Sequence, residues 1–110
     1  MQASQVKEYF PEIQRSIDNA AELCQITRDV PDDVRESLGE LGRESDHVRQ
    51  VVDQANSEEH IRQSLLRLEK MGGRALEACE QAGSTVNRDV RSAVYEAHEA
   101  ISSLKRRLLH

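Results

Sequence analysis

Cys24 and Cys79 come nearest to chemistry of any residues in the chain. Each holds an inward position of a helical repeat, about one turn before a break in the pattern, so both are expected in one core layer. Ionised, two such thiols form a redox pair or a soft-metal site. Kept neutral, they are small buried hydrophobes, as free cysteine usually is. Zinc or copper needs further ligands, and no histidine shares that layer. The reading adopted is two buried thiols with no metal, no cofactor and, in a reducing compartment, no disulfide. Its alternative is a ligand- or metal-binding bundle that uses the Cys24/Cys79 layer.

The histidines assemble no site. His47 and His60 fall at outward positions, His98 flanks the seam, and His110 is the last residue. Glu44-Ser45-Asp46-His47 matches the Glu-x-x-His pattern of di-iron bundles, where both ligands point inward from one turn. Here the inward residue is Ser45, so Glu44 and His47 are expected to miss the core. Glu22 and Glu77 are outward too, which disfavours a ferritin-like centre. Asp33-Val34-Arg35 recurs as Asp89-Val90-Arg91. The arginines could form an anion site, but acidic residues facing a helix N-terminus and arginine stems covering apolar surface explain the motif more simply. Lys105-Arg106-Arg107 is read as compensation of a helix C-terminus.

Nothing else resembles a catalytic apparatus. There is no nucleophile–base arrangement, phosphate-cradling glycine loop or Cys/His metal spacing, so the chain is read as non-enzymatic. Its 110 residues accommodate one domain, 1–110. A net charge of −5 and three aromatic residues (Tyr9, Phe10, Tyr95) argue against nucleic acid. Neither a spanning apolar run nor a signal-peptide pattern is present, so no membrane contact and a cytoplasmic location are expected.

Only helices fit the apolar spacing, which alternates steps of four and three. The seams read Val6, Phe10, Ile13, Ile17, Ala20, Cys24; then Val34, Leu38, Leu41, Ser45, Val48, Val52; then Ile61, Leu65, Leu68, Gly72, Ala75, Cys79; then Val90, Val94, Ala97, Ile101, Leu104, Leu108. Between them, Asp29-Val30-Pro31 offers a cap and a first-turn proline, Asn56 a capping box with Glu59, and Gly83-Ser84-Thr85 a helix stop followed by a new cap. Pro11 is read as a kink within a first helix that starts near Gln2. Gly39, Gly42, Gly72 and Gly73 stand inside helices, where glycine costs about 1 kcal/mol relative to Ala.

Adding 55 to the first seam gives the third, and adding 56 to the second gives the fourth. Cys24/Cys79, Asp33/Asp89, Val34/Val90 and Arg35/Arg91 accompany that register. The expected fold is therefore all-α: a four-helix up-down-up-down bundle of two duplicated hairpins, 2–55 and 57–110. Ile17 with Ser45, and Gly72 with Ile101, should form one mid-bundle layer that pairs a large residue with a small one in each hairpin.

Surface composition supplies the functional expectation. Residues 1–55 carry 6 basic and 12 acidic groups, whereas residues 56–110 carry 9 and 8. Leu66, Tyr95 and Leu109 lie outward, with Met71 on the flank and Tyr95 counted nearly level with Gly73. An apolar, nearly neutral face opposite an acidic one points to association. The chain is read as an interaction or adaptor module that meets a protein partner or forms a homodimer through the helix 3–helix 4 face, with Leu66, Met71, Tyr95 and Leu109 as its contacts.

Overall fold

A computed structural model describes residues 3–54 and 57–108. Four helices account for most of them: α1 (Ala3–Ile26), α2 (Asp32–Gln54), α3 (Glu58–Ala82) and α4 (Arg88–Leu108), with one 3₁₀ turn at Gly83–Thr85. Among the described residues there is no strand. α1 packs on α2, α2 on α3, α3 on α4, and α1 also on α4, which closes a four-helix bundle around one core. No described helix is long and apolar enough to cross a membrane.

The seams form that core. Every predicted seam residue from Val6 to Leu104 is buried, and each fully buried Leu, Ile or Val contributes roughly 1.5–3 kcal/mol. The side chain of Leu108, like Leu109, His110 and the outer limits of the two expected hairpins, lies outside the described residues. The core is also wider than the seams. Val51, Ser64 and Ala93 are buried beside them, because a globular helix covers a broader stripe than a coiled-coil seam. α1 runs through Pro11, which is exposed. Gly72 faces Ile101 as the layer argument requires: a Cβ on Gly72 would stand 3.1 Å from Ile101 Cδ1.

The helix ends depart from the sequence expectations. Asp29 is not a cap; it turns the chain with φ 63°, a conformation that Asp tolerates better than most residues. The carbonyl of Pro31 accepts the first helical bond of α2, from Arg35 N at 3.1 Å. α3 is capped by Ser57, whose Oγ accepts from His60 N at 3.1 Å; Asn56, expected there, lies outside the described residues. Gly83 does end α3, at φ 61° and ψ −132°, a region open essentially to glycine. Ser84 and Thr85 do not open the next helix. Thr85 Oγ1 donates to Ala82 O, and Asn87 caps α4 by accepting from Asp89 N at 2.8 Å.

Candidate interaction surface

The anticipated contact residues split into separate groups. Leu66 and Met71 line one depression on α3, together with Arg67, Lys70 and Arg74. Leu66 is 37% exposed, whereas Met71 is half-buried and packs against the core. Tyr95 is 59% exposed on α4 but lies elsewhere. Gly72 opposite Ile101, and Glu69 Oε1 2.9 Å from Lys105 Nζ, fix how far α4 is slid along α3. That register sets Tyr95 level with Ala78, about five residues or ~8 Å beyond Gly73. Tyr95 is therefore some 12 residues, or ~18 Å, from Leu66 along the bundle. Leu66 and Tyr95 are outward and Met71 is on the flank, as their phases implied; the level expected for Tyr95 was wrong, although the Gly72–Ile101 layer holds. Leu109 lies outside the described residues. Ile26, at the end of α1, is the most exposed of the large described hydrophobic residues, at 72%.

A second groove, between α2 and α3, adjoins the first at Arg74. Asp33, Glu36, Ser37 and Glu40 line it from α2, and Arg74, Glu77, Ala78 and Gln81 from α3, so that four carboxylates stand around one arginine. At its far end Glu44 is folded in against Arg67, its side chain only 12% exposed, with Oε1 3.3 Å from Arg67 Nε. Oε1 makes no aligned hydrogen bond there. Glu44 is thus less outward than its helical position implied, whereas His47 is exposed. His98, half-buried, lies over Gly72 and Gly73. Ser45 is fully buried, and its Oγ has no hydrogen-bond partner.

Cys24 and Cys79 are both buried and free. Burial pushes each thiol above its ordinary range, and for Cys79 the neighbouring Cys24 adds a further push. Each thiol is therefore in an environment that favours the neutral form over the thiolate a metal or a nucleophile requires. Among the described residues no three His, Cys, Asp or Glu side chains gather to hold a metal ion.

The basic motifs are engaged within the chain. Arg35 Nη2 donates to Thr27 O at 3.5 Å, and Arg91 Nη2 donates to Gly83 O. Each arginine thus reaches back eight residues to a carbonyl at the end of the preceding helix. This favours the helix C-terminus and leaves neither guanidinium as a free anion site. Of the C-terminal cluster, Lys105 pairs with Glu69 and Arg106 with Glu99, each at 2.9 Å. The Arg107 guanidinium lies over the Tyr9 ring, 5.2 Å from its centre. Compared with protein-family models, curated proteins and solved structures, the chain matches none.

Proposed function

We propose that this protein is a non-enzymatic helical interaction module, working in the cytoplasm, that binds a protein partner through the outer face of α3 around Leu66, with Tyr95 on α4, ~18 Å further along the bundle, as a separate second contact. Its scaffold is two duplicated hairpins arranged up-down-up-down. The paired reach of Arg35 and Arg91, and Val30 and Val86 buried 56 residues apart in the two connections, support that reading.

The observation that carries the function is the α3 depression. Leu66 presents apolar surface beside Met71, and Arg67, Lys70 and Arg74 rim it. Such a site combines apolar area with charges that select an orientation. Leu66→Glu with Tyr95→Glu tests it. Both residues are exposed, so circular dichroism and the melting temperature should change little, while complexes seen by crosslinking in cells should disappear. Unchanged complexes in a folded double variant would refute the reading.

A further inference from the structure

Between α1 and α4 the surface opens into a groove of about 320 Å³, at the small end of the range for ligand pockets. Ile13 and Leu104 are buried and Ala100 packs against the core, so these three form an apolar floor. Ser16 and Ser103 stand beside it with their hydroxyls. On α1 the lining runs from Tyr9 to Ser16, about 10 Å along the helix. At the Tyr9 end the Arg107 guanidinium lies over the aromatic ring, 5.2 Å from its centre, a contact that holds the cation in place. Arg15 lines the groove as well, and neither arginine makes an ion pair with a described residue. Glu12 is the one carboxylate in the lining, which leaves a single net positive charge.

Under the duplication proposed above, the same place in the other half lies between α3 and α2, offset by 55 and 56 residues. There Arg67 and Glu44, the equivalents of Glu12 and Ala100, reach across to each other at 3.3 Å. Ser64 and Val51, the equivalents of Tyr9 and Arg107, are buried. Met71, the equivalent of Ser16, packs against the core. The α1/α4 groove is open because Ala100 and Ser16 stop short where Glu44 and Met71 extend. Helix packing alone does not demand that opening, since the equivalent pair of helices spans it with side chains.

We infer that the α1/α4 groove binds a small amphiphilic carboxylate, its charged head on the Arg107 guanidinium and its hydrocarbon body along Ile13, Ala100 and Leu104. The site is separate from the protein-binding face on α3 and does not depend on it. Arg107 is the anchor because Tyr9 fixes its position before a ligand arrives, which lowers the cost of ordering it. Its N–H donors are still available for a carboxylate, which guanidinium matches with two parallel bonds. Arg15 adds attraction and Glu12 opposes it, so one negative charge suits the groove better than two. A cation meets the wrong sign, and a neutral hydrocarbon leaves Arg107 without an acceptor. Nucleic acid is opposed by Glu12 and by the net charge of −5.

Octanoate, about as long as the groove, is the probe, and amide chemical shifts in two-dimensional NMR of the isotope-labelled protein are the readout. Octanoate should move the amides of residues 9–16 and 100–107 together, with a Kd of about 1 mM or lower. Octanamide, which has the same length and no charge, should bind at least about tenfold more weakly, and Arg107→Gln should weaken octanoate by a similar factor. Glu12→Gln should tighten octanoate about twofold or more, by removing the opposing charge. Ala100→Glu copies the residue at the equivalent place and offers the arginines an internal carboxylate, so it should abolish the shifts. Arg49→Gln, in the separate α1/α2 groove, should leave binding unchanged. Should Ala100→Glu fail to fold, Arg107→Gln and octanamide decide the matter without it. No shifts at about 10 mM octanoate, or shifts scattered over all four helices, would overturn the inference. So would equal affinity for octanamide, or for octanoate in Arg107→Gln.

Discussion

At Gly72 a hydrogen atom stands where a methyl group would press on Ile101 Cδ1. Gly42, in α2, has nothing within 4 Å of the same added atom. The two glycines therefore respond oppositely to alanine. Gly42→Ala should raise stability by about 0.5–1 kcal/mol in urea unfolding, since only helix propensity changes. Gly72→Ala should gain less or lose, because the contact offsets that propensity. Ile101→Val removes the crowding methyl, so a double-mutant cycle between the two sites should show a favourable coupling of at least about 0.5 kcal/mol. Additive effects would separate the two residues. Asp18 gives the pH counterpart. Although Asp18 is exposed, slight desolvation, then Asp46, hold its carboxyl above its ordinary value of 3.8, with Arg49 opposing them. A raised folded-state pKa means the folded protein holds that proton more tightly, so the ionised group destabilises at neutral pH. Asp18→Asn should therefore melt higher at pH 7, and the advantage should fade as pH falls toward 3.8. An advantage that persists in acid would assign the effect to something other than ionisation.

Single elements were legible in their interiors and poorly legible at their ends. The four-and-three spacing placed all the described seam residues in the core because burial depends on phase around the helix, which a sequence carries directly. Caps depend on local backbone angles as well. Asn56 and Ser57 are nearly equal in capping preference, and only the geometry assigns the bond to Ser57. The arginine of each Asp-Val-Arg motif was read as a stem over apolar surface, because its partner carbonyl lies eight residues back, across the connection, in Thr27 or Gly83. Arg91→Gln should cost about 0.5–1.5 kcal/mol and speed amide exchange in the last turn of α3. Arg35→Gln should cost less, since its bond is long at 3.5 Å. Equal and negligible effects from both would mean that the guanidiniums do no more than cover their surroundings.

On the scale of the whole bundle, the slide of one helix along the next was legible only where a layer pairs a large residue with a small one. Gly72 opposite Ile101 fixes α4 along α3, and Glu69 beside Lys105 agrees with it. The level expected for Tyr95, beside Gly73, did not follow from that layer and was about five residues off; the α2–α3 slide, marked by Glu44 beside Arg67, had no such pair to reveal it. The charge asymmetry was visible between halves, but not that three carboxylates of α2 and Glu77 of α3 gather along one groove around Arg74. The buried thiols have a different consequence at this scale. Cys24 sits near the end of α1 and Cys79 near the end of α3, each sealed from solvent. A thiol reagent can reach them only when the bundle opens, so the chain carries two built-in clocks of its own opening, one in each half. With a reagent slower than reclosing, each modification rate reports the free energy of the opening that exposes that sulfur. Equal rates would mean that one cooperative opening exposes both sulfurs. Faster modification at one cysteine would show that half of the bundle departing alone, with the other half still folded behind it.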